Sequence, residues 1–312
     1  MEKHLLGMKD LEAEDIISIL DHAVTFRKVL DRDVKKLPTL RGLTIANLFF
    51  EPSTRTRISF ELAEKRLSAD TVNFSASMSS LKKGESLRDT VENIEAMKVD
   101  MLVMRHGSVY APNYIAKKTN AVVINGGDGA NEHPTQALLD FYTMRKRFNS
   151  FDGLKVTLVG DCLHSRVIRS NVVGLKKLGA DVTLCAPSTL LPYGVETWGI
   201  RVTCDIEEAL NGANIVNIMR LQLERQTAGY LPSLREYKMI WGIDRRKIEL
   251  MDENRLVMHP GPMNRGIEIT QDVADSEDAV ILDQVTNGVA VRMAVLYLLA
   301  PRRGEELKKS NE

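Results

Sequence analysis

Apolar residues fall along this chain in two alternating rhythms. Over residues 11–30, Ile16, Ile19, Leu20, Ala23 and Val24 recur at three- and four-residue spacing, the stripe of an amphipathic helix. Asp10 is placed to cap it, with Glu12 and Glu14 in the electropositive first turn. Short runs of Val, Ile, Leu and Met then appear at 44–50, 101–104, 121–124, 155–159, 181–185, 215–219, 256–258 and 280–283. Helical patterns separate them. Strands that are apolar on both faces and alternate with helices predict parallel sheets covered on each side.

The expected fold class is therefore α/β, with two doubly wound parallel-sheet α/β domains joined by helices. Residues 136–148 read as one helix, and Asn149-Ser150-Phe151-Asp152-Gly153 as the turn before a new strand. This sets a first domain at 1–148 and a second at 149–287. A last helix, about 288–300, aligns Val289, Arg292, Met293, Leu296 and Leu299 on one side and is expected to pack back on the first domain. Residues 301–312 form a charged tail. A length of 312 residues accommodates two such domains.

Charge and cysteine content then exclude whole classes. Lys and Arg number 42, as do Asp and Glu, so no net basic field exists to collect nucleic acid or an anionic membrane. Cys162, Cys185 and Cys204 are odd in number and lack CxxC spacing, which argues against a disulfide framework or a zinc site and fits a reducing cytoplasm. The longest charge-free stretch, 182–195, is too short to span a bilayer and carries Pro187 and Pro192. The N-terminus turns acidic before an apolar signal core could form. A cytoplasmic location, with no membrane and no nucleic acid partner, is the expectation.

One segment carries the clearest chemistry: Phe49-Phe50-Glu51-Pro52-Ser53-Thr54-Arg55-Thr56-Arg57-Ile58-Ser59-Phe60-Glu61. A buried strand ends, a proline turns the chain, and three hydroxyls and two guanidiniums arrive at the mouth of a helix. Unpaired first-turn N–H groups there already favour an anion, and the side chains add donors and charge for a phosphate or similar dianion. The competing explanation, N-capping by Ser53 or Thr54 beside solvated arginines, accounts poorly for five such residues in succession. The run F-x-E-x-S-T-R-T-R-x-S-F-E is similar to the carbamoyl-phosphate signature of the aspartate and ornithine carbamoyltransferases. That resemblance extends from about Phe49 to Leu299.

A second motif, Asn131-Glu132-His133-Pro134-Thr135-Gln136-Ala137-Leu138-Leu139-Asp140, places Pro134 at a first helical position with His133 at the helix mouth. A histidine N–H can polarise a carbonyl oxygen, and a glutamine amide can read an amino group. The resemblance implies that His133 and Gln136 hold the carbamoyl group, with Arg105 and Thr56 on the same oxygen and Ser53, Thr54 and Arg55 on the phosphate. A third segment, Ser79-Ser80-Leu81-Lys82-Lys83-Gly84-Glu85, reads on its own as a polar surface loop. Its likeness to the family's S-x-x-K-G-E loop implies that Lys83 binds phosphate and aspartate in the active site of a neighbouring subunit. Ser79 and Ser80 are left as alternatives for an assisting role.

Three further segments follow strands. Val159-Gly160-Asp161-Cys162-Leu163-His164-Ser165-Arg166 lacks the G-x-G-x-x-G of a dinucleotide site. The resemblance puts Arg166 at a substrate α-carboxylate and leaves Asp161 and His164 without a role. In Arg220-Leu221-Gln222-Leu223-Glu224-Arg225 alternate residues can share a face. Bidentate pairing suits arginine to a carboxylate there, and the family equivalent implies Arg220 chiefly, with Gln222 alongside. Arg225 is explained equally by solvation. In His259-Pro260-Gly261-Pro262-Met263-Asn264-Arg265-Gly266, two prolines stiffen a loop that can present carbonyls to an amino group. This matches aspartate-type members, in which Gly261 and Pro262 supply those carbonyls. Ornithine-type members tend to have His-Cys-Leu-Pro.

The resemblance therefore implies carbamoyl transfer from carbamoyl phosphate to the α-amino group of L-aspartate, a step toward pyrimidines, with no metal or organic cofactor. Arg55, Thr56, Lys83, Arg105 and His133 are the implied catalytic set. Members of the family are homotrimers with active sites shared between subunits. Some assemble further with regulatory chains or a dihydroorotase, a choice the sequence leaves open.

Overall fold

A computed structural model of the chain describes residues 2–75, 85–223 and 229–301. Lys83, Ser79, Ser80, Arg225 and the tail 302–312 lie outside the described residues. The chain forms two packing units, one from Met1–Gly129 with Gly288–Glu312, the other from Ala130–Asn287.

The first unit runs α1 (Ala13–Leu30), β1 (Thr44–Phe49), α2 (Thr54–Arg66), β2 (Asp70–Ser75), α3 (Leu87–Ala96), β3 (Met101–His106), α4 (Ala111–Ala116) and β4 (Val122–Asp128). Its four strands are all parallel, in the order β2-β1-β3-β4. Ala46, Leu48, Leu102, Met104 and Val123 fill one face of that sheet against Val91 and Ile115.

The second unit begins with α5 (Pro134–Phe148) and β5 (Lys155–Gly160), then α6 (Arg166–Lys177), β6 (Asp181–Cys185), β7 (Arg201–Thr203), α7 (Ile206–Leu210) and β8 (Ile215–Met219). It continues through α8 (Leu234–Ile240), α9 (Arg245–Ile248), β9 (Leu256–Met258) and α10 (Gln271–Ala274) into α11 (Ile281–Leu299). Its parallel sheet has the order β7-β6-β5-β8-β9. Gly160 ends β5 at φ +125°, and a Cβ there would lie 2.4 Å from the carbonyl oxygen of Met219, so only glycine lets β5 and β8 finish this close together.

By packing, α5 falls with the second unit and α11 from Gly288 onward with the first. Polar side chains of α5 take part in this packing: Asp140 and Thr143 accept from Asn171, Asn217, Gln284 and Asn287. Three details depart from the pattern reading. Helix α1 is capped by Glu12, in a reciprocal box with Asp15, and not by Asp10; residues 280–283 open a helix instead of forming a strand; and β2 and β7 are additional edge strands.

In each sheet the strand order reverses once, between β1 and β3 and between β5 and β8. Loops leaving the carboxyl ends of strands diverge at such a reversal and leave a crevice where ligands bind.

Candidate active site

In the first unit the expected residues lie at that reversal. The backbone N–H of Phe50 donates to the carbonyl of Arg105 at 2.9 Å, so the exit of β1 is tied to the end of β3. Helix α2 then starts at Thr54, with Thr54 and Arg55 exposed and Thr56 buried. Ser53 holds the N-cap position, yet its side chain makes no capping bond to the helix. Arg105 is half-buried; its Nη1 donates to the carbonyl of Gly126 at 3.3 Å, and Nη2 lies 3.8 Å from Glu51 Oε1. From the last helix, Arg292 donates to Ser59 Oγ at 2.9 Å and stacks over the Phe60 ring at 5.0 Å, which steadies α2 behind its first turn. Its role was not legible in the sequence beyond its place on a helix side.

In the second unit, His133 caps α5 positionally, with Pro134 at the first helical residue. His133 is buried, and its backbone N–H donates to Ser170 Oγ at 2.8 Å while that hydroxyl donates to Glu132. Gln136 sits one turn in, half-buried. Arg166, 4% exposed, is the first residue of α6. Arg220 and Gln222 leave β8 and are half-buried.

Asp161 acts beyond a simple turn. Its Oδ1 accepts from the His164 backbone at 3.2 Å and holds His164 Nδ1 at 2.8 Å, and its Oδ2 accepts the N–H of Gln222 at 3.1 Å. Gln222 Nε2 in turn donates to the carbonyl of His164 at 3.0 Å. The loops after β5 and β8 are thereby joined through one fully buried carboxylate.

The loop after β9 is held by its own side chains. His259 Nδ1 accepts the Gly261 N–H at 2.8 Å, so Nε2 carries the proton and donates to Glu268 Oε1 at 3.3 Å. Glu268 Oε1 also accepts the Asn264 N–H at 2.7 Å, and Asn264 Nδ2 donates to the Leu221 carbonyl at 3.3 Å. Gly261, at φ +65°, and Pro262 sit at the turn of this loop.

The end of the basic stretch 235–247 is accounted for locally. Arg246 pairs with Glu207, and the Lys247 ammonium donates to the carbonyls of Met239 and Gly242, with burial lowering its pKa. Cys162 and Cys185 are buried and unpaired; burial pushes the Cys185 thiol up to about 12 and Cys162 well above its ordinary value. Among the described residues no three of His, Cys, Asp and Glu gather as metal ligands, and no helix is long and apolar enough to cross a membrane.

Residues 3–146 match the family described as aspartate/ornithine carbamoyltransferase, carbamoyl-P binding domain, and residues 152–299 its Asp/Orn binding domain. The chain belongs to the aspartate/ornithine carbamoyltransferase family. It is 56% identical to the aspartate carbamoyltransferase catalytic subunit of Cytophaga hutchinsonii over 298 residues, covering 96% of this chain and 97% of that one. The fold is similar to aspartate transcarbamoylase from Trypanosoma cruzi in complex with N-(phosphonacetyl)-L-aspartic acid, with a TM-score of 0.86, 31% identity and 96% of each chain covered. It is also similar to ornithine carbamoyltransferase from Pyrococcus furiosus, with a TM-score of 0.84, 30% identity, and 95% of this chain and 96% of that one covered.

Proposed function

We propose that the protein transfers the carbamoyl group of carbamoyl phosphate to the α-amino group of L-aspartate, giving N-carbamoyl-L-aspartate and phosphate on the route to pyrimidines. The observation that carries this is positional. The phosphate set and the acceptor set each follow the strands that flank the reversal in their own sheet.

In this reading Ser53, Thr54, Arg55 and Thr56 receive the phosphate with hydroxyls, a guanidinium and the first-turn N–H groups of α2. Thr56, Arg105 and His133 donate to the carbonyl oxygen, which gains charge as the amine adds. Gln136 and the carbonyls of Gly261 and Pro262 fix the carbamoyl –NH2. Arg166 and Arg220, with Gln222, take the two carboxylates of aspartate. Addition forms the C–N bond, the C–O bond to phosphate breaks, and the departing phosphate takes the amine proton. The chemistry rests on orientation and donors, without a side-chain nucleophile.

Colorimetric detection of carbamoyl aspartate tests the reading directly. Aspartate should serve far better than ornithine; equal use of ornithine would refute the assignment of Arg166, Arg220 and the His259–Pro262 loop.

The same reading makes the protein a cytoplasmic homotrimer in which Lys83 serves the next subunit's site. Mixing Lys83→Ala with His133→Ala chains under subunit exchange should restore activity well above either parent and below wild type, because some interfaces then pair two intact residues. No recovery despite proven exchange would place Lys83 in its own chain's site or in none. The mass of the assembly in solution decides whether regulatory chains or a dihydroorotase join the trimer.

A further inference from the structure

Asp140 lies on α5, fully buried, at the meeting of four amide side chains. Its Oδ1 accepts from Gln136 Nε2 at 3.0 Å and from Gln284 Nε2 at 2.9 Å. Its Oδ2 accepts from Asn171 Nδ2 at 3.1 Å and from Asn217 Nδ2 at 3.2 Å. Three of the donors belong to segments that carry an expected substrate contact, and the fourth bonds to one that does. Gln136 is itself such a contact. Asn171 is on α6 behind Arg166, and Asn217 is on β8 shortly before Arg220. Gln284, in the first turn of α11, accepts the N–H of His259 through Oε1 at 2.9 Å, and His259 accepts that of Gly261.

We propose that Asp140 is a positioning residue for the carbamoyl group, fixing which end of the Gln136 amide faces substrate and, through Gln284, the setting of the Gly261–Pro262 carbonyls. A carboxylate can only accept. Gln136 must therefore give Asp140 its –NH2, which leaves its carbonyl oxygen for the substrate's amino group. The relay on the other side is directional as well: Gln284 donates to Asp140 and so turns its own oxygen to His259. Burial lifts the Asp140 carboxyl to about 6 while the four amides oppose that rise, so above neutral pH the acceptor-only form prevails.

The inference rests on the carbamoyl phosphate reading, and the test separates the two. Whole enzyme is titrated calorimetrically with inorganic phosphate and with phosphonoacetamide, which replaces the bridging oxygen of carbamoyl phosphate by CH2. The ratio of the two dissociation constants isolates the amide end of the ligand. In Asp140→Leu, which removes every acceptor, and in Gln284→Met, which cuts the relay to His259, the preference for phosphonoacetamide should fall roughly tenfold while phosphate affinity holds. Asp140→Asn should keep it within about threefold of wild type. Its remaining oxygen can still accept from Gln136 and Gln284, the two bonds that the relay uses.

A preference unchanged in folded Gln284→Met would overturn the proposal, as would phosphate affinity falling in parallel with it. If Asp140→Leu does not fold, the other two variants decide. If none of the three folds, the cluster is structural and the proposal fails. A wild-type enzyme with no preference for phosphonoacetamide over phosphate would instead refute the substrate reading.

Discussion

Replacing Glu64 by glutamine should make the first unit more stable at alkaline pH and leave it nearly unchanged at pH 5. Glu64 is on α2 with no exposed surface, and its Oε2 accepts from Asn47 Nδ2 on β1 at 2.9 Å. Burial is the main cause that raises its carboxyl from 4.5 to about 7, against the opposing bond from Asn47. Between those values the folded chain keeps a proton that the unfolded chain has released. Stability from this group is therefore complete below about pH 4.5 and is lost as pH rises through 7, a change of about 3 kcal/mol. Glutamine keeps the shape and an acceptor for Asn47 but never ionises. Relative to wild type, Glu64→Gln should gain about 2–3 kcal/mol between pH 5 and pH 8.5. Asp140 tilts stability in the same direction, but it is present in both chains and cancels from the difference. Both tryptophans, Trp198 and Trp241, lie in the second unit, so fluorescence is the wrong probe. Hydrogen exchange of peptides covering β1 and α2, across urea at pH 5, 6, 7 and 8.5, reads the correct unit. A difference independent of pH, or one of opposite sign, would refute the reasoning.

Two predictions bear on the site itself. Arg55→Ala and His133→Ala should each lower kcat by about 10²–10³ with the circular dichroism spectrum intact, since each sits at a helix mouth; wild-type turnover at subsaturating carbamoyl phosphate would sink the assignment. Arg220→Ala should raise the KM for aspartate by roughly tenfold or more with little change in carbamoyl phosphate binding, and a rise confined to carbamoyl phosphate would contradict its role.

Elements whose signal is local were legible before the structure. Interior strands such as β3 are buried on both faces over Met101–Met104 and read there as an unbroken apolar run. Edge strands hid because they lack that run: Val72 of β2 is half exposed, and β7 is three residues long. The run Val280-Ile281-Leu282-Asp283 misled, since four apolar-rich residues fit either period; Ile281 and Gln284 turn inward while Leu282 is 82% exposed, the spacing of a helix. The site divided in the same way. Phe49–Glu61 and Asn131–Asp140 hold their chemistry in contiguous residues and declare it. Asn171, Asn217 and Gln284 lie on three other elements and carry no motif, so only the folded second unit brings them to Gln136 and Asp140. Asp161 had no legible role, because its bond to Gln222 needs the pairing of β5 with β8.

A chain with no net charge can still select two anionic substrates if local structure supplies the field, and the helix starts show how. Helices α3, α7, α8 and α9 begin with Ser86, Asp205, Ser233 and Asp244, each accepting a first-turn N–H through its side chain. Helices α2, α5 and α6 begin with Ser53, His133 and Ser165, none of which does so, and the short helices α4 and α10 begin uncapped as well, at Tyr110 and Thr270. Serine is among the best capping residues, and a cap contributes about 1 kcal/mol. Ser53 and Ser165 thus stand where that stabilisation is available and leave it unused. These two helices, with α5, carry Thr54, Arg55, Thr56, Gln136 and Arg166. In the reading proposed above, an anion at these starts meets the positive end of each helix with no side-chain cap in its place. The positive end of each helix then acts over one turn only, and the acidic residues that balance the total charge elsewhere do not cancel it.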